Sequence, residues 1–265
     1  MKSDISLLAS RAATQWRVVS ALVLRELLTR YGRHNIGFAW LFVEPMLFTL
    51  GIATLWTLSS VTHGSTLPIV TFAITGYSSV LVWRNAANRC NRAVQTNWAL
   101  LFHRNVTPLD IFVARILLEI VGATVSLVTL STVFALAGYA QSPDDLLTVL
   151  MAWALLCWFA LGFGLVVGSL TERSEAFERV WHIAAYLLFP LSGAVFMVEW
   201  LPESAQRVVL TLPMVHGVEM LRHGWFGRIV PTYESPAYMA ICNLALTFAG
   251  LALALTTSRV VEVSQ

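Results

Sequence analysis

The sequence predicts an all-α, polytopic membrane protein with six transmembrane helices. Three observations carry this. First, 57% of the 265 residues are hydrophobic and only 12% are charged, against about 25% charged in a soluble domain. A soluble protein this apolar would have to expose large greasy patches. Second, apolar stretches recur near 36–58, 67–83, 111–138, 146–170, 180–198 and 237–256. About 20 helical residues cross a hydrocarbon core of about 30 Å. Third, if all six cross, 14 of the 17 lysines and arginines fall on one side, and only Arg207, Arg222 and Arg228 on the other. The basic side is the cytoplasmic one, so both termini are expected there. The predicted organisation is an interface helix over 1–34, a membrane domain over 35–258 and a cytoplasmic tail over 259–265.

The N-terminal arm is no signal peptide, because residues 1–29 lack an uninterrupted apolar core and a small-residue cleavage site. Leu8, Ala12, Trp16, Val19, Val23 and Leu27 recur at helical spacing, with Arg17 and Arg25 off the stripe. That pattern predicts an amphipathic helix lying in the interface, with Trp16 as an anchor. Glu26 and Arg30 stand four apart in the favoured order. At Ile36 the chain turns apolar and enters span 1. Glu44 inside that span costs about 2.5–3.5 kcal/mol in lipid, so it should face protein or water. Pro45 frees the carbonyl of Leu41 and should kink the helix. Span 2 is short; without it Arg84, Arg89, Arg92 and Arg104 would all lie outside, against the charge bias. Segment 84–110 is therefore expected to be a basic cytoplasmic loop with one helical piece over 93–103. Trp98, Leu101 and Phe102 are three large apolar groups in that loop. They call for a partner surface, with Arg104 at its rim.

Span 3 exceeds what a bilayer needs, so its first turns should protrude, and Arg115 and Glu119 can pair there. Loop 139–145 carries Asp144 and Asp145, as an external turn would. In span 4, Gly164 and Gly168 have the small-xxx-small spacing that permits close helix approach. A polar turn over 171–179 leads to span 5, where Pro190 and Gly193 suggest a bend. Segment 199–236 is too polar to span and too apolar for a plain loop. It holds Trp200, Leu201, Trp225 and Phe226 and is cut by Pro202 and Pro213. Short re-entrant helices between spans 5 and 6 fit it. His216, Glu219 and His223 share one helical face there. A metal site would need a fourth ligand; a hydrogen-bonded cap with Arg222 would not.

Several chemistries lack their residues. The only lysine is Lys2, and a phosphate-binding loop needs a lysine inside a glycine-rich turn. The chain has no nucleophile elbow, no H-E-x-x-H and no two-metal carboxylate set. Cys90, Cys157 and Cys242 show no metal spacing and read as small apolar packing groups. A net charge of +2 leaves no nucleic-acid footprint. No cofactor is expected in this chain, and any ATP-driven motor must be another polypeptide.

Three patterns in order carry a resemblance. The first is Arg25-Glu26, Arg30-Tyr31, Gly37, Trp40 and Glu44-Pro45. The second is Asn97, Arg104, Val106, Pro108, Asp110, Ala114-Arg115 and Leu118-Glu119. The third is Pro213, His216, Val218-Glu219 and Arg222. Together they resemble the ABC-2 permeases that export capsular polysaccharide in Gram-negative bacteria, over about residues 20–258. The resemblance implies a homodimer in the inner membrane, served by two copies of a separate ABC ATPase that binds ATP and magnesium. It implies a lipid-linked acidic polysaccharide as cargo and a periplasmic co-polymerase-type partner. Asn97, Trp98, Leu101, Phe102, His103 and Arg104 would form the coupling segment that docks on the ATPase. Arg25, Glu26, Arg30, Tyr31, Glu44 and Pro45 would belong to the interface helix and gate. Trp40, Tyr77, Trp83 and Arg84 are candidates for the sugar path, with anchoring in the interfacial belt as the competing role for each aromatic. Pro213, His216, Glu219 and Arg222 would form a periplasmic gate. Two other readings stand beside this one. One is export of O-antigen, teichoic-acid polymer or a drug; the other is a membrane-embedded enzyme using Glu44 or the His216–His223 group.

Overall fold

A computed structural model describes residues 2–31, 37–58, 67–102, 106–229 and 231–263, and among them there is helix and connecting turn but no strand. In chain order the helices are α1 (Lys2–Tyr31), α2 (Gly37–Leu58), α3 (Ile69–Cys90), α4 (Ala93–Thr96), α5 (Pro108–Leu136) and α6 (Leu146–Arg173). Then come α7 (Glu175–Leu191), α8 (Glu203–Val209), α9 (Pro213–Phe226) and α10 (Pro236–Val263). Three described helices are long and apolar enough to cross a membrane: Pro108–Leu136, Leu146–Arg173 and Pro236–Thr257.

Local chemistry sets the ends of these helices. Thr107 and Asp110 form a reciprocal capping box at the start of α5, with Pro108 in the first turn. Asp145 caps α6 by accepting from the Leu147 and Thr148 amides. Ser174 alone separates α6 from α7. Its amide donates to Leu170 O, closing α6, and its hydroxyl accepts from the Phe177 amide, opening α7. The turn expected over 171–179 thus shrinks to one residue. Glu175 and Glu178 in the first turn of α7 complement its dipole.

The core lies among α3, α5, α6 and α9, with α10 laid along α6. The α3, α5 and α6 backbones approach closely at Gly168, where a Cβ would stand 2.8 Å from Cys90 Cβ and from a Phe112 ring carbon. Gly250 does the same for α10, since a Cβ there would stand 2.6 Å from Leu165 Cβ. The packing reading of Gly168 therefore holds, while the seat of α10 is set by a glycine outside that motif. Helices α3, α5, α6 and α7 alternate in direction. One end of the bundle carries α1 and α4, and the other carries α8 and α9.

Three expected boundaries shift, one of them at α10, which runs on to Val263 and does not stop near 256. Helix α3 continues two turns beyond Trp83, so Arg84 and Arg89 are helical and not in a loop. Helix α7 stops at Leu191, not near 198, and the chain turns back through Gly193 at φ +85°.

Candidate coupling and gating sites

At the α4 end, Arg92 is the one described non-glycine residue with a positive φ, at 46°. It follows Asn91, which caps α3, and opens α4. Its guanidinium is held by α7: Nε lies 2.5 Å from Glu178 Oε2, and Nη2 lies 3.8 Å from Glu175 Oε1. Glu172, on the last turn of α6, accepts from the Val94 amide at 2.7 Å. Trp181 Nε1 donates to Asn88 Oδ1 at 3.0 Å. The short segment after α3 is thus tied to both sides of the α6–α7 corner.

Helix α1 lies on the same end. Val19 and Leu22 are buried against Ala114 of α5, while Trp16 is 68% exposed. Polar residues off the apolar stripe add to this docking. Arg25 Nη1 donates to Asn97 Oδ1 at 2.8 Å, Glu26 pairs with Arg115 at 3.2 Å, and Gln15 donates to Asp110. The sequence pairs Arg115 with Glu119; the structure gives each a partner from another helix, Glu26 for the first and Arg89 at 3.2 Å for the second.

The expected single helix over 93–103 is broken at Asn97. Its amide bonds Val94 O and its side chain bonds Ala93 O, closing α4 after one turn. Side-chain bonds of this kind compete with helix continuation. A 3-10 turn, Trp98–Phe102, follows. Asn97 is buried and faces α1, Leu101 packs on the core, Trp98 is half-buried and Phe102 is 72% exposed. His103 and Arg104 lie outside the described residues, as do the side chains of Arg30, Tyr31, Trp40 and Pro45. Glu44 is exposed on α2.

Along α3 the candidate path residues divide. Trp83 is fully buried, with its ring edge-on to Phe159 and Phe163, so it packs the core. Tyr77 is also buried, among Phe48, Trp56 and Phe189. Arg84 is half-buried, with its guanidinium carbon 5.4 Å from the ring centroids of both Tyr186 and Phe189. Those are cation–π distances.

At the opposite end, Pro213 opens α9. Arg222 is wholly buried; Nη1 donates to Gly193 O at 2.7 Å and Phe196 O at 2.6 Å, and Nη2 to Ala194 O at 2.7 Å. Its guanidinium carbon stands 3.8 Å over the Phe72 ring. Glu219 accepts from the Val198 and Tyr233 amides, both at 3.3 Å. Burial pushes its carboxyl above the usual range, against the pull of Arg222. His216 Nδ1 accepts from the Ser235 amide at 3.1 Å, and Nε2 lies 2.9 Å from Leu210 O. That pairing fits the neutral ring with its proton on Nε2. His223 bonds Glu234. So each member of the His216–Glu219–His223 group has a protein partner. Among the described residues no cluster could hold a metal ion.

A family model described as "ABC-2 type transporter" matches residues 17–226. The chain belongs to the ABC-2 type transporter family. This ABC-2 chain is 47% identical to the capsule polysaccharide export inner-membrane protein CtrC of Neisseria meningitidis serogroup B, over 94% of both chains. It is 43% identical to BexB of Haemophilus influenzae, a protein of the same description, again over 94% of both. It is 28% identical to the polysialic acid transport protein KpsM of Escherichia coli, over 89% of this chain and 91% of that one. In this ABC-2 chain, sequence reasoning missed Arg92, Glu172 and Glu178. Their only signal was a basic residue at a helix break facing acids at another.

Proposed function

We propose that this chain is the transmembrane subunit of an ATP-driven exporter that moves lipid-linked capsular polysaccharide across the bacterial inner membrane. The observation that carries this is the 47% identity, nearly end to end, to a capsule polysaccharide export inner-membrane protein. We read six crossing helices, α2, α3, α5, α6, α7 and α10, with both termini and the α4 end cytoplasmic. The side-counting of lysine and arginine supports this topology. Residues 1–34 then form the interface helix, 35–258 the membrane domain and 259–265 a cytoplasmic tail. Two copies form the pathway, and a separate ATPase docks at Phe102, where it covers an aromatic ring that otherwise stands in water. The ATPase supplies ATP and magnesium, and a periplasmic co-polymerase-type protein receives the polymer. The α9 end is then the outer gate, and Arg84 the candidate contact to acidic sugar.

The test is co-expression with the cognate nucleotide-binding subunit in a capsule-export mutant. Surface polymer and stimulated ATPase are the expected results. ATP turnover by the isolated chain, or an extracellular position for residues 93–102, overturns the reading. Rescue of an O-antigen or drug exporter mutant, with no rescue of the capsule mutant, reassigns the cargo.

A further inference from the structure

A groove of about 480 Å3 runs between α5 and α6 in the half of the bundle next to α9. Its floor is buried: Leu127, Val149, Trp153 and Trp225 are each less than 10% exposed. Its rim is open: Val128, Leu136, Leu146 and Leu150 are 58–85% exposed. The polar groups that α5, α6 and α9 bring to its wall already have partners. Thr124, Ser131 and Thr132 donate to carbonyls of their own helix, Trp153 Nε1 donates to Thr124 Oγ1 and Trp225 Nε1 to Gln141 O. The wall asks for an occupant that brings no hydrogen bonds. From Thr124 to Leu136 the groove extends about 18 Å along α5, close to one leaflet of a hydrocarbon core of about 30 Å.

The groove does not end blindly. At its α9 end it meets a second cavity of about 660 Å3, and Gln141, Ser142, Pro143 and Trp225 line both. This second cavity is polar and carries the Asp144 carboxylate. Asp144 is the one charged side chain in the described lining, and the side chain of Arg228, between Phe226 and Ile229, lies outside the described residues. An apolar slot one leaflet deep, opening into an acidic vestibule, matches the two halves of a membrane lipid whose head carries an amine. An anionic head would meet the like charge of Asp144.

We infer that the α5–α6 groove holds one acyl chain of a resident phospholipid of the ethanolamine type, with its ammonium above Asp144. The chain gains little from leaving bulk lipid, since both surroundings are apolar. Retention therefore rests on shape and on the head contact. The site lies apart from Arg84 and Phe102 and makes no demand on the cargo assigned above.

The test is native mass spectrometry of the full chain taken from vesicles of equal phosphatidylethanolamine and phosphatidylglycerol. Wild type is expected to retain phosphatidylethanolamine in preference. Ser131→Phe and the gentler rim variant Leu150→Trp should each lower the retained lipid at least about fivefold, while Leu255→Trp on exposed α10 leaves it unchanged. Asp144→Asn should keep a bound lipid but abolish the preference between heads. A photoreactive benzoylphenylalanine at position 150 should add the mass of a lipid. Equal loss in Leu255→Trp, a preference for phosphatidylglycerol, or a photoproduct with a second protein chain each overturns the inference.

Discussion

At the α4 end Arg92 meets Glu178, Arg89 meets Glu119 and Arg115 meets Glu26, so charge meets charge across helices. At the α9 end the buried charges go to the backbone instead. Arg222 takes three carbonyls at the end of α7, and Glu219 takes two amides. The two devices differ in what they allow. A partly exposed pair such as Arg92–Glu178, with side chains 30% and 23% exposed, can part and re-form with water or another partner at modest cost. Carbonyls left by an unwound helix in a dry interior have no other donor. The Arg92–Glu178 link can be re-paired, and the second end keeps one irregular backbone path.

The largest expected effect follows from that contrast. Arg222→Ala leaves the Gly193, Ala194 and Phe196 carbonyls buried without a donor, at about 1–3 kcal/mol each. We expect loss of monodisperse protein in detergent, or a fall in melting temperature larger than for any substitution at Arg92, Glu234 or Phe102. Arg222→Lys should recover little, because a compact ammonium cannot reproduce the planar fork. Gly76→Val should behave like Arg222→Ala, since even a Cβ at Gly76 would stand 2.2 Å from Ala194 O. An unchanged melting curve for Arg222→Ala would erase the distinction between the two ends.

Next comes the re-pairable end. Arg92→Glu sets like charges against Glu178 and should lower stability by about 1 kcal/mol, with a larger loss of polymer export than of ATP turnover. The exchange Arg92→Glu with Glu178→Arg should restore much of both. A double variant no better than the sum of its parts would show that the pair is not the link.

The third effect is pH-dependent. Burial pushes the Glu234 carboxyl up, but hydrogen bonds from Thr232 and His223 outweigh it, and the group is held below its usual 4.5. With a depressed folded value, its contribution is full above 4.5 and is lost as pH falls through the lower folded value. Wild type should therefore lose more thermal stability than Glu234→Gln on acidification across that window. Parallel pH curves would remove Glu234 from the cap. The smallest effect on stability belongs to Phe102→Ala, within about 0.5 kcal/mol for so exposed a ring. Copurification of the ATPase with that variant should nonetheless fall several-fold.

Helix existence was legible because an apolar run of span length is seldom stable as anything but a helix in lipid or in a large core. The start of α2, both ends of α6 and the short helices between α7 and α10 lay close to where composition placed them. The misplaced ends share a cause. Hydropathy ends a helix where charge begins, yet α3 continues through Arg84 and Arg89 because aromatic faces and Glu119 receive them. Helix α7 ends early where Arg222, 29 residues on from Gly193, collects the Gly193, Ala194 and Phe196 carbonyls that follow it. Local spacing likewise offered Glu119 to Arg115, whereas Glu26 comes from a separate helix. The apolar face of Phe102 could be anticipated from residue type. The left-handed Arg92 could not, since nothing but glycine advertises a positive φ.

Helices α6 and α7 share Ser174 and leave no slack between them. A joint of one residue acts as a fulcrum. Helix α7 is 17 residues long, about 25 Å, so a swing of about 10° at Ser174 displaces its far tip by about 4 Å. Because Arg222 holds Gly193 and Ala194 just past Leu191, such a swing would have to carry α9 with it.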